Sequence, residues 1–194
     1  MAGAGYKDFT AGDVFTAAQV DTYLMEQSVM VFATAAARDA ALTTVKADGM
    51  FAYLTDAPKR LTRYNGSAWN VVWSDWVDFT PTFTNMATSA TDGAYRYAPG
   101  GMWVKVSGTC SGAGSGNVTV TLPDSATSRS DGLTNFGWAR YTDASSTDFV
   151  GIATVGSGST TIGFRDTNSV VVAAATPFTW ASGDTIEAQL FVAL

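Results

Sequence analysis

From residue 85 to residue 194 the chain is broken by Gly, Asn, Asp and Ser into short β-prone runs, and this punctuation restricts the fold more than any other feature. The runs are Ala94 to Tyr97, Gly101 to Gly108, Asn117 to Leu122, Phe136 to Thr142, Phe149 to Val155, Thr160 to Arg165, Ser169 to Ala174 and Thr185 to Val192. None is long enough for a helix of ordinary length, and two alternate cleanly. Val118, Val120 and Leu122 share one face of their run, with Asn117, Thr119 and Thr121 on the other. Ile186, Ala188, Leu190 and Val192 likewise alternate with Glu187, Gln189 and Phe191. One face of each strand belongs in a core, so the pattern predicts an antiparallel β-sandwich resembling a jelly roll.

Ahead of this region the signals are mixed. Thr16-Ala-Ala-Gln19 has the form of a capping box and predicts a helix running to about Gln27, with Val20 and Leu24 on a narrow apolar stripe. Val29 to Ala33 reads as a strand, and Thr34 to Leu42 as a capped, alanine-rich helix. Gly49 to Leu54 reads as a second strand, and Leu61 to Tyr64 and Ala68 to Val72 flank the hairpin signal Asn65-Gly66. The expected organisation is a small α+β adaptor over residues 1–75, a junction over 76–84 that Pro81 keeps from being a central strand, and a β head over 85–194.

Charge narrows the range of partners. The net charge is -6, with nets of -2 over residues 1–77 and -4 over 78–194, so neither half holds the clustered Lys and Arg that phosphate neutralisation requires. Nucleic acid is therefore not an expected partner. Only 14% of residues are charged, well below the quarter or so usual in globular proteins. No stretch approaches the ~18 apolar residues of a membrane span, and the first residues lack a signal-peptide layout, so synthesis in a cytoplasm without membrane insertion is expected. The single Cys110 rules out an intramolecular disulfide, which leaves packing and subunit association to stabilise the fold.

Histidine is absent, and with it the usual general base of serine and cysteine hydrolases and the commonest transition-metal ligand. A carboxylate pair for glycoside hydrolysis remains conceivable among Asp131, Asp143, Asp148, Asp166, Asp184 and Glu187, as does calcium at Asp143 with Asp148. Most of these residues sit beside Gly, Ser, Thr or Asn, where aspartate ordinarily closes turns. The Gly-Ser tracts at 111–116 and 156–159 read as loop tips and lack the Lys of a phosphate loop. Catalytic residues, metals and cofactors are thus not expected. Trp138 with Tyr141, and Trp180, are candidates for presenting flat rings to sugars, against the plainer reading that they pack a core.

The run from Gly5 to Phe32, GYKDFTAGDVFTAAQVDTYLMEQSVMVF, resembles the N-terminal region of minor tail and fibre-like virion proteins of bacteriophages infecting actinobacteria. The likeness continues through Ala36 to Ala41 and Gly49 to Leu54 to Tyr64-Asn-Gly-Ser-Ala-Trp69, and more weakly into Phe79 to Thr84, Tyr95 to Tyr97 and Gly116 to Pro123. It implies a non-enzymatic homotrimeric appendage on the exterior of a virion. Residues 1–75 would hold it to other virion proteins, and the head would meet a host-surface glycan. A capsid decoration or head fibre is the alternative implied by the same likeness, and a glycan-degrading spike is a more distant one. Tyr6, Phe9, Phe15, Val20 and Leu24 are the particle-docking candidates, although Phe9 and Phe15 could equally staple the first helix to its own sheet.

Overall fold

The computed structural model describes residues 8, 10–145 and 147–194, so the docking candidates Tyr6 and Phe9 lie outside the described residues. The chain forms two compact units, one ending at Asp75 and the other starting at Trp76.

In the first unit the capping box closes as the sequence predicts: Gln19 N donates to Thr16 Oγ1 at 3.2 Å, and Thr16 N donates to Gln19 Oε1 at 3.1 Å. Helix α1 (Ala17–Val20) then widens into a π turn over Asp21–Met25, so the expected helix is present but not uniformly α. Strand β1 (Val29–Phe32) follows, and then α2 (Ala35–Ala41), whose cap Thr34 accepts from Ala37 N at 3.1 Å. The sheet is completed by β2 (Phe51–Leu54), β3 (Arg60–Tyr64) and β4 (Trp69–Ser74), in spatial order β1-β2-β3-β4. β1 and β2 are parallel because α2 carries the chain back, whereas β2, β3 and β4 are antiparallel. The β3–β4 turn is held by Asn65, whose Oδ1 accepts from Ser67 N at 3.1 Å and Ala68 N at 2.8 Å, while Gly66 adopts φ +90°.

The core of this unit is small: Leu42, Ala47, Met50, Ala52 and Leu54, with Arg38 buried beside them. The Arg38 guanidinium pairs with Asp39 at 3.0 Å, donates to Thr62 Oγ1 at 3.2 Å and lies 4.4 Å from the centre of the Trp69 ring. Trp69 thus serves as the floor for a buried cation.

Among the described residues the second unit is one antiparallel sheet of nine strands: β5 (Val77–Phe79), β6 (Phe83–Thr84), β7 (Thr88–Ala98), β8 (Gly101–Cys110), β9 (Thr119–Thr121), β10 (Asn135–Thr142), β11 (Asp148–Val155), β12 (Thr161–Asp166) and β13 (Thr185–Ala193). Their spatial order is β5-β7-β8-β13-β10-β11-β12-β9-β6. The two edge strands are β5 and β6, which are neighbours in sequence joined by Thr80-Pro81-Thr82. Nine strands laid flat would place the edges almost 40 Å apart at ~4.8 Å per step, but three residues span only about 10 Å. The sheet must therefore curl until its edges nearly meet.

This arrangement adds detail to two expectations. Residues 76–84, read from the sequence as a junction, supply both edges of the second unit, and Pro81 sits between the edge strands, where its missing N–H costs no ladder bond. The hydrogen-bonded ladder is also a single curled sheet, where the sequence pattern suggested a sandwich. The run 169–174 forms only isolated bridges, although Val172 is buried.

Inside the curl, alternate residues of β8, β13, β10, β11, β12 and β9 form one core, including Met102, Val104, Ile186, Leu190, Tyr141, Phe164 and Val120. Phe79 and Phe83, on either side of the three-residue strap, pack against it. They occupy space left by glycines on the inner face. A Cβ on Gly93 would lie 2.7 Å from Phe79 Cε1 and from Pro81 Cγ, and one on Gly108 would lie 2.6 Å from Phe83 Cε2.

Candidate functional site

On a curled sheet whose inner face is sealed, chemistry belongs to the outer face, and register determines which side chains meet there. One cross-strand row runs Asp78 (β5), Ala94 (β7), Lys105 (β8), Gln189 (β13), Trp138 (β10), Ile152 (β11) and Arg165 (β12). The row beside it holds Asp92, Ser107, Glu187, Arg140 and Val150. The short side chains Ala94 and Ser107 sit among longer neighbours, which leaves a hollow of about 230 Å³ bounded by Asp78, Asp92, Lys105, Glu187 and Trp138. That is below the ~300 Å³ at which drug-sized sites begin, so it suits one ring or one end group of a larger ligand.

Trp138 is 51% exposed. Phe136 and Val150 nearby are also exposed, and Ile152 pairs with Trp138 across the strands, which gives an apolar strip along β10 and β11. On the same outer face Trp103 of β8 packs edge-on to its ladder partner Phe191 of β13 at 5.3 Å. The cations are drawn toward partners of their own: Lys105 Nζ lies 4.6 Å from the Trp76 ring centre, Arg96 lies 5.1 Å from the same ring, and Arg140 pairs with Glu187 at 3.0 Å and Asp148 at 3.9 Å. Among the described residues Asp78 and Asp92 form no ion pair.

Of the three aromatic residues weighed as sugar-contact candidates against core packing, Trp138 is the one whose ring is exposed. Tyr141 and Trp180 are corrections: both are buried, with ring centres 6.2 Å apart. Tyr141 faces inward because it lies an odd number of residues from Trp138 on the same strand. Its hydroxyl donates to Arg165 O at 2.8 Å. Burial, with the Asp166 carboxylate adding to it, pushes that phenol above its ordinary range. Trp180 donates from Nε1 to Thr176 O at 3.3 Å and stacks against Phe178. A ring enclosed in a core has no face to offer a ligand.

The carboxylates considered for hydrolysis are mostly occupied by turns. Asp143 accepts from Ser145 N at 2.8 Å, Asp166 from Asn168 N at 2.9 Å and Val170 N at 2.8 Å, and Asp184 from Ala144 N at 3.0 Å and Ala181 N at 2.6 Å. Asp131 accepts from Leu133 N at 3.0 Å. Among the described residues no three His, Cys, Asp or Glu side chains cluster in a way that could hold a metal ion. Asp78, Asp92, Lys105 and Gln189 were not foreseen, because they come from four strands and only the register brings them together.

In the first unit Phe15 and Leu24 are about half exposed, and Val20 is partly covered. Met25, Val29, Val31 and Val45 are exposed as well, and an apolar groove of about 500 Å³ runs along β1 between Met25 and Val45. Among the described residues no strand pairs with the outer edge of β1. Among the described residues no helix is long and apolar enough to cross a membrane. No protein-family profile, curated protein or solved structure matches the chain.

Proposed function

We propose that this chain is a non-enzymatic attachment protein of a bacteriophage particle: the first unit docks to other virion proteins and the second presents a glycan-binding face. The observation that carries the reading is the hollow beside Trp138. An exposed indole offers a flat apolar surface to the C–H face of a pyranose, and the carboxylates, Lys105, Gln189 and Ser107 around it offer acceptors and donors to hydroxyls. The docking role rests on the exposed apolar residues of the first unit, Phe15, Leu24, Val29 and Val31, which association would cover. In such a particle the curled sheet takes the place of the sandwich heads of similar virion proteins, and three copies would assemble side by side.

The test is binding of the full chain to polysaccharide extracted from actinobacterial envelopes, with Trp138→Ala beside it. The expected result is binding that the substitution removes, and equal binding by both proteins refutes the site. Immunogold microscopy of the parent particle with antibody against residues 78–194 then separates a tail location from a capsid one, and unlabelled particles refute the virion reading. Light scattering at 20.3 kDa would refute the trimer. Release of reducing sugar from the same polysaccharide would replace attachment with degradation.

A further inference from the structure

We infer that the hollow beside Trp138 selects sugars that carry a free ammonium group over neutral or acidic ones, an inference that rests on the glycan reading above. The hollow is bounded by three carboxylates, from Asp78, Asp92 and Glu187, against one ammonium, from Lys105. That ammonium is held over the Trp76 ring at 4.6 Å, and Arg140 neutralises Glu187 from its own row at 3.0 Å. Asp78 and Asp92 are left facing the hollow without an ion-pair partner among the described residues, on strands β5 and β7 at the end opposite Trp138. The indole adds to the same preference, because the electron-rich face of tryptophan attracts a cation. Asp92 is three strands and Asp78 four strands from Trp138, about 14 and 19 Å at ~4.8 Å per step, so an oligosaccharide with one ring against Trp138 brings the amino group of its third or fourth ring to the two aspartates. A uronic acid or a phosphate in the same position would face them with like charge.

The experiment is calorimetric titration of the full chain at pH 6 and low salt with the tetramer of β-1,4-linked glucosamine and with its N-acetylated counterpart, which has the same backbone and no charge. The expected result is about tenfold tighter binding of the free-amine tetramer, a preference that shrinks as salt is raised. Asp78→Asn with Asp92→Asn should abolish the preference, and circular dichroism on this pair of exposed positions confirms that the fold persists. Equal binding of both tetramers, unchanged in the double variant, overturns the inference while leaving the glycan reading in place. Binding of envelope polysaccharide through Trp138 but of neither tetramer also overturns it. Failure to bind any of the three overturns both.

Discussion

Closure of the second unit depends on two aromatic rings fitting over two glycines, and Gly108→Ala tests that fit directly. The added methyl would stand 2.6 Å from Phe83 Cε2 and 2.7 Å from Cζ. Comfortable carbon contacts begin at about 3.5 Å, so the ring has to retreat by about 1 Å. Gly108 lies on β8 while Phe83 lies on β6 at the far edge of the ladder, so this retreat strains the pairing of β6 with β9. Overpacking of this kind costs about 1–3 kcal/mol. For a unit of this size that lowers the melting temperature by roughly 3–6 °C per kcal/mol. Phe83→Leu alone should cost about 1–2 kcal/mol, since a partly buried ring is exchanged for a smaller apolar group. In the double variant the methyl finds the vacated space, so the two costs should fall short of their sum by about 1 kcal/mol or more. Urea unfolding followed by tryptophan fluorescence, with the buried Trp180 as reporter, measures all four corners of the cycle. Gly108→Ala within ~0.5 kcal/mol of the parent, or strictly additive costs, would refute the packing argument.

Alkaline pH should destabilise the second unit. Burial and the hydrogen bond to Asp124 at 2.7 Å raise the Tyr97 phenol as burial raises Tyr141, so the folded chain holds protons that the unfolded chain releases above pH ~10. Their contribution is complete below that pH and is lost as pH climbs toward the folded values; unfolding at pH 9 and 11 should differ, and Tyr97→Phe with Tyr141→Phe should narrow the difference. Asn65→Ala should destabilise the first unit by about 1 kcal/mol through loss of the bonds from Ser67 N and Ala68 N, read as faster amide exchange in β3 and β4. Trp138→Ala should destabilise the second unit by about 1–2 kcal/mol in urea unfolding, because the half of the ring that is out of water is given up, and should leave it folded in the binding assay; a loss above ~3 kcal/mol would make Trp138 a structural residue.

Local signals in the sequence were legible where a single segment decides the outcome. Thr16 with Gln19, Thr34, and Asn65-Gly66 each act within four residues, and the first unit follows them closely. The alternation that puts Val120 and Ile186 in the core was legible for the same reason. What escaped depends on contacts between distant strands. Val77–Phe79 and Phe83–Thr84 are too short to show a period, and their role as opposite edges arises only from closure of the sheet. The same limit hid Asp78 and Asp92 from the candidate site. It also left Tyr141 grouped with Trp138, although strand parity alone would have separated an inward from an outward residue three positions apart.

Strand β13 lies between β8 and β10, so the last strand to be made fills a place inside a sheet whose other members precede it. On the ribosome, β5 to β12 emerge without the backbone that joins β8 to β10, and two unpaired edges wait for residues 185–193. Closure of the second unit therefore waits for residues 185–193 and is slow, in the millisecond-to-second range of sheets built from distant contacts. Until those residues arrive, the gap between β8 and β10 is open to the β13 of another copy, and exchange of that strand between crowded chains is the misassembly this order invites.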